Sequence, residues 1–223
     1  MSQKRIALWT LILAGIAFGL GVYFYESRNR LSATQQASEV QTQVQKQVLV
    51  RPHSPVYGQA TAKVTIVEFF DPACESCRAF YPIVKRIVDS SFGQVKLAIR
   101  YAPLHRGSDT AVKILEAARK QGLYWQVLER VLETQPAWAD HNNPRPELIW
   151  DLLQGTGMNV ARARSDSQGV DIATILAMDV ADLVALKVDK TPTFFVNGTP
   201  LKRFGVEELR ALVGSELRRA SPL

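Results

Sequence analysis

The sequence predicts an α/β domain carrying one helical insertion, set behind an apolar segment and a polar linker. Three observations predict it. VTIVEFF (64–70) and VKLAIRYAP (95–103) are β-branched, aromatic runs with a helical stretch between them. A block of three-to-four apolar spacing then extends over about 107–188. The chain returns to strand pattern at TPTFFVNGTPLKRF (191–204) and closes on one more helix.

The N-terminus is a different material. Residues 6–25, IALWTLILAGIAFGLGVYFY, are 20 positions without a charge. At about 1.5 Å per residue such a helix spans about 30 Å, the hydrocarbon thickness of a bilayer. Lys4 and Arg5, followed by Gly15 and Ala17, match parts of a cleaved signal peptide. The apolar run, however, continues to Tyr25 with no polar cleavage region. Residues 1–25 therefore read as a short N-terminal stretch and an uncleaved, single-pass anchor, with Tyr23, Phe24 and Tyr25 near one interface and two basic residues at each end that leave its orientation open. Residues 26–54 read as a linker. SATQQASEVQTQVQKQ holds six glutamines and no aromatic residue, so it cannot bury a core of its own. Val40, Val44 and Val48 are four apart, a helical spacing, within what otherwise reads as a solvated tether. The folded domain is expected over 55–221, with its helical insertion at about 107–188.

Within that domain RAFYPIVKRIV (78–88) predicts a helix bent at Pro82. DTAVKILEAARK (109–120), LYWQVLERVLE (123–133), PELIWDLLQG (146–155) and IATILAMDVADLVALK (172–187) predict the helices of the insertion. Trp125, Trp138 and Trp150 fall on its apolar faces and read as core. Asn197-Gly198 between two extended runs is a hairpin signal. VEELRALVGSELRRA (206–220) is a charged amphipathic helix.

Net charge is +6, but residues 1–30 carry four of the basic residues against one acid. The remaining 23 basic and 20 acidic residues nearly balance, with no basic stripe among the aromatics, which excludes a nucleic-acid binder. His53, His105 and His141 are scattered along the chain.

The only two cysteines, Cys74 and Cys77, stand in EFFDPACESCRAFYP (68–82), between a strand and a helix. Four readings compete. A structural disulfide would close so short a loop that its entropic gain is only about 2 kcal/mol. A structural zinc needs four ligands, and neither a third cysteine nor a paired histidine spacing supplies them. Two thiolates suffice for Cu(I), so a copper carrier stays open, as does an idle pair. A redox-active dithiol fits the surroundings. A helix opening at the pair aims backbone N–H groups at Cys74 and favours its thiolate, which is the nucleophile. Cys77, one turn on, would resolve the mixed disulfide. Far downstream, Thr191-Pro192 precedes TFFVN. On spacing alone it is an ordinary proline at a strand start.

A strand ending in EFF, a C-x-x-C pair opening a proline-bent helix, and TPTFFVNG after a long helical block together resemble the thioredoxin superfamily. The insertion between the second strand and the Thr-Pro hairpin makes the chain similar to the DsbA-like branch, over about residues 55–220. The resemblance implies a thioredoxin-like fold with an inserted helical domain and a protein thiol–disulfide oxidoreductase. It implies Cys74 as the attacking and Cys77 as the resolving cysteine, Pro192 as a cis proline, and Thr191 as a substrate contact. Glu68 matches a buried acid thought to relay protons to the resolving cysteine; a lone carboxylate within a buried strand is costly unless partnered or protonated. The redox carrier is the cysteine pair, with no metal or organic cofactor. Partners are unfolded or partly folded secreted proteins and a membrane redox partner. The expected location is a bacterial inner membrane with the domain in the periplasm, since disulfides persist in oxidising compartments, and this orients the anchor with its short N-terminus in the cytoplasm.

One departure from the family stands between the cysteines. DsbA proteins typically hold Pro-His there; this chain holds Glu75 and Ser76. Glu75 places a negative charge beside a thiolate and should raise its pKa, with Ser76 a hydrogen-bond donor and Arg78 a partial offset. A less stable thiolate makes a weaker oxidant. The expected potential lies between those of DsbA and thioredoxin, about −120 mV and about −270 mV.

Overall fold

The computed structural model describes Tyr25, Arg28 and residues 48–220. The apolar segment at 6–25 and most of the linker lie outside the described residues. Among the described residues no helix is long and apolar enough to cross a membrane.

A five-stranded sheet runs through the domain in the order β1-β3-β2-β4-β5. β2 (Val64–Phe70) and β3 (Val95–Tyr101) form its parallel centre, residue for residue from Val64 against Val95. The crossover between them is α1 (Glu75–Asp89), with Pro82 inside it. β1 (Val56–Tyr57) pairs antiparallel on the outer side of β3. β4 (Thr193–Val196) pairs antiparallel on β2 and turns through Asn197 and Gly198 into β5 (Thr199–Pro200). Asn197 (φ 48°) and Gly198 (φ 90°) take the two left-handed positions such a two-residue turn requires. The last helix covers the sheet over Val206–Ala220.

Between β3 and β4 stands the helical insertion: α2 (Ser108–Arg119), α3 (Tyr124–Glu133), α4 (Gln135–Trp138), α5 (Ile149–Leu152, entered through a 3-10 turn at Pro146–Leu148), α6 (Val160–Asp166) and α7 (Val170–Ala185); the closing helix is α8. Two of its helices escape the periodicity. α4 has only four residues, and α6 (VARARSD) is polar with one buried residue, Ala163. The predicted helix at 146–155 is shorter, because Thr156 and two glycines in the left-handed region, Gly155 and Gly157, end it. Trp138 is fully buried and donates its Nε1–H to the Val131 carbonyl, and Trp150 is buried under Arg164. Both are core, as their spacing predicts.

The sheet alternation divides the core. Val64, Ile66, Phe70, Leu97, Ile99 and Phe194 face α1, α8 and much of the insertion. Val67, Phe69, Ala98 and Phe195 face the other way, against Leu49, Leu183 and Val188. Leu49 corrects the expected boundary: residues 48–54 belong to the folded unit, not to the linker. Leu49 is 1% exposed, Arg51 pairs with Asp182 at 2.7 Å, and His53 Nε2 meets Asp179 at 2.7 Å. The segment is held here by Leu49, with Val50 packed beside it, and by the Arg51 and His53 side chains on two acids of α7.

Candidate active site

β2 alternates, so Glu68 shares the face of Ile66 and Phe70, beneath the start of α1. Phe70 ends the strand, and Asp71 turns the chain. Its Oδ1 accepts the Ala73 N–H at 2.9 Å and its carbonyl accepts the Cys74 N–H at 3.1 Å. Cys74 then takes the extended cap position of α1 (φ −78°, ψ 122°). Its sulfur lies beside the backbone N–H groups of Ser76 and Cys77, which have no carbonyl partner in a helix's first turn. Cys77, one turn on, is fully buried. Both cysteines are free thiols, so the structure is of the reduced form.

From the far end of the chain Thr191-Pro192, joined by a cis peptide bond, stands at the start of β4. Cys74 Sγ–H donates to the Thr191 carbonyl at 3.3 Å, and the Thr191 hydroxyl is buried without a partner of its own. The structure thus gathers Cys74, Cys77, Glu68, Thr191 and Pro192 into one place from distant parts of the chain. Glu75 and Ser76 point outward, both exposed, and Glu75 Oε1 is hydrogen-bonded to His141 Nε2 at 2.7 Å.

The two sulfurs differ strongly. A hydrogen bond from Cys77, opposed by burial and helped by Thr191 and the N–H groups of Cys77 and Ser76, lowers Cys74 from 9.0 to about 5. The Thr191 carbonyl accepts only from the thiol and favours that form, but it is one acceptor against several donors. Burial, the neighbouring sulfur and the Glu68 charge push Cys77 far above the ordinary thiol range. One sulfur is therefore a thiolate at neutral pH and the other a retained proton, which is what nucleophilic attack followed by delayed resolution requires.

Glu68 is fully buried, and neither carboxylate oxygen has a partner. Burial first, then the Cys74 charge, raises it from 4.5 to about 8. Because the folded value is the higher one, the charged form costs stability, and folding loses stability as pH rises through the interval from 4.5 to about 8. Glu68→Gln should therefore raise Tm by a few degrees at pH 8 and by much less at pH 5. Melting curves at both values check this; a gain independent of pH would mean Glu68 stays ionised.

Three residues near the sulfurs are not among those the sequence marks. Gln135, at the start of α4, donates its Nε2–H to the Pro72 carbonyl at 2.8 Å and to the Cys74 carbonyl at 3.0 Å, fixing the cysteine loop. It sits 61 residues away in a segment with no motif, and nothing local could have found it. Asp71 and His105 form an acid–imidazole pair at 2.7 Å, with the acid fully buried; only the Asp71-Pro72 turn was locally visible.

Comparison with known proteins agrees with this arrangement. A family model described as thioredoxin matches residues 51–214. Among curated relatives, the Na(+)/H(+) antiporter NhaA 1 of Salinispora arenicola is 29% identical over 164 residues, covering 72% of this chain and 24% of that protein. The chain spans about a quarter of the length of the first such relatives it matches. Disulfide bond formation protein D of Bacillus subtilis is 28% identical over 176 residues, 74% of this chain and 77% of that one. The crystal structure of a thioredoxin-like oxidoreductase from Silicibacter pomeroyi superimposes with a TM-score of 0.66 at 26% identity, covering 77% of this chain and 95% of that chain.

Proposed function

The chain belongs to the thioredoxin family, and from that premise we propose that it is a DsbA-like protein thiol–disulfide oxidoreductase acting through Cys74 and Cys77. One observation carries the reading: two adjacent thiols at a helix start with pKa values driven far apart. The similarity to a disulfide bond formation protein of Bacillus subtilis and to a thioredoxin-like oxidoreductase of Silicibacter pomeroyi supports it.

In the reducing direction the Cys74 thiolate attacks one sulfur of a substrate disulfide. A Cys74–substrate S–S bond forms, the substrate bond breaks, and the other substrate sulfur leaves as a thiolate. Glu68, once it has released its own proton, takes the proton of Cys77, and the Cys77 thiolate attacks Cys74 Sγ. The Cys74–Cys77 disulfide forms and the second substrate sulfur leaves; two electrons have passed from the enzyme dithiol to the substrate. Oxidation of a substrate dithiol is the same sequence reversed. Thr191 and Pro192, beside Cys74, offer backbone groups to an extended substrate strand. The cysteine pair itself carries the electrons through every step.

The substrates are disulfide-bearing or cysteine-bearing secreted proteins, and the domain works outside the cytoplasm behind the 6–25 anchor, with a membrane protein restoring its redox state. Cys74 at about 5 lies between the values typical of thioredoxin, about 7, and DsbA, about 3.5. The expected potential is accordingly between about −270 and −120 mV. A redox titration of the protein against glutathione buffers, read by alkylation mass shift, measures it. A potential above about −180 mV makes the domain a donor of disulfides; one below about −250 mV makes it a reductase. Stoichiometric Cu(I) uptake by the dithiol, without any exchange, would overturn the reading in favour of a metal carrier.

A further inference from the structure

The Glu75-Ser76 pair gives Cys74 no cation, yet the fold ties two imidazoles to the residues that flank it, His105 to Asp71 and His141 to Glu75. His105, in the loop between β3 and α2, directs Nδ1–H to Asp71 Oδ2 at 2.7 Å. The same Asp71 oxygen accepts the backbone N–H groups of Leu104 and His105, at 2.8 and 2.9 Å. Its other oxygen accepts the Ser108 hydroxyl and the Ala73 N–H. Asp71 is fully buried and is also the residue whose carbonyl holds the Cys74 N–H. One residue therefore fixes both the cysteine loop and the imidazole. His105 and Ala73 line a shared cavity of about 220 Å3 with Leu104, Arg106, Asp140 and His141. The His105 ring stands edge-on to the ring of His141, 5.3 Å away, and His141 in turn holds Glu75.

We propose that His105, gripped by Asp71, is a positioning residue that supplies the positive charge for the Cys74 thiolate, while His141 holds Glu75 by a hydrogen bond. The proposal rests on the oxidoreductase reading above. Its physical basis is that a buried carboxylate bonded to an imidazole favours the cation, and that Asp71 ties this imidazole to the loop whose carbonyl holds the Cys74 N–H, within electrostatic reach of the sulfur. The charged groups facing His105 are Asp71, Cys74 and Glu75, with His141, Arg106 and Asp140 around the same cavity. Burial opposes its protonation, but the Asp71 hydrogen bond and charge, together with Cys74 and Glu75, raise its pKa above 6.5. Nε2 has no partner among the described residues, and His105 lines the cavity that Ala73, next to Cys74, also borders.

His105→Gln separates charge from shape, because glutamine keeps a donor for Asp71 and loses the cation. The test follows Cys74 alkylation by iodoacetamide against pH in the full chain, with the equilibrium constant against glutathione measured alongside. The variant should still exchange disulfides. Its alkylation at pH 5.5 should fall about three- to tenfold as the thiolate fraction drops, and its disulfide form should gain about the same factor in the glutathione equilibrium. His105→Lys, which restores a cation, should recover most of both. Coincident profiles for wild type and His105→Gln would overturn the proposal while leaving the enzyme reading intact. Absence of exchange in the wild type would overturn that reading itself.

Discussion

Cys74→Ser should reduce disulfide exchange to the uncatalysed background, and Cys77→Ser should stop it one step later. The two variants differ because the two sulfurs do. Serine at 74 removes the thiolate, and nothing else in the site replaces it: no other cysteine exists in the chain beyond Cys77. Serine at 77 leaves the attacking thiolate supported, since a hydroxyl can donate to Cys74 as the thiol did and the N–H groups of the helix start remain. Attack then proceeds and the mixed disulfide accumulates, visible as an adduct mass after mixing with a disulfide-bonded peptide. Insulin reduction and the adduct mass read both outcomes. Retained activity in Cys74→Ser would sink the assignment of the nucleophile. An equally inert Cys77→Ser that forms no adduct would mean that Cys77 activates Cys74 instead of resolving it.

The sheet and the cysteine loop were legible because their causes are local. β-branched, aromatic runs bounded by turn residues set β2, and β3 differs only at its end, where Ala102 and Pro103 leave the strand. Asn197-Gly198 set the β4–β5 turn, and the amphipathic pattern set α8. What the sequence hid are pairings between distant polar residues. The three histidines read as scattered, yet each meets an acid at 2.7 Å: His53 with Asp179, His105 with Asp71, His141 with Glu75. Spacing along the chain carries no information about partners 126, 34 and 66 residues away. Residues 48–54 were lost for the same reason: Val48, Leu49 and Val50 form too short an apolar run after the glutamine-rich stretch to stand out, and the acids that hold Arg51 and His53 lie far away on α7. Glu75 is instructive in another way. Its carboxylate is hydrogen-bonded to His141, and what the dipeptide gives Cys74 is the Ser76 backbone N–H.

Those hidden pairings carry the second large effect. Arg100 lies on the sheet face opposite Glu68, fully buried and stacked over the Phe69 ring at 5.6 Å. Its Nε donates to Asp179 at 3.0 Å and its Nη2 to Asp182 at 2.5 Å, while Nη1 takes the Val48 and Leu49 carbonyls. One guanidinium thus joins β3, α7 and the entering chain. Asp179 also accepts the Tyr101 N–H, and Asp182 accepts Arg51. Arg100→Met fills a similar volume but leaves two buried carboxylates facing each other with only Arg51 and His53 beside them. Removing one partner of a buried ionic group typically costs about 3–5 kcal/mol. For a domain of this size that is roughly a 10 °C fall in Tm. The penalty should depend on pH. Burial raises the Asp182 pKa, but the bonds from Arg51 and Arg100 and their charges hold it below its ordinary 3.8. The stability it contributes is therefore present above 3.8 and lost as pH falls through the lower folded value. The Tm gap between wild type and Arg100→Met should be full at pH 7 and narrow at pH 3. Thermal melts at both values decide it. A gap of a degree or two at pH 7 would mean that Phe69, Leu183 and Val188 hold this face without the ions, and that residues 48–54 pack by Leu49 alone.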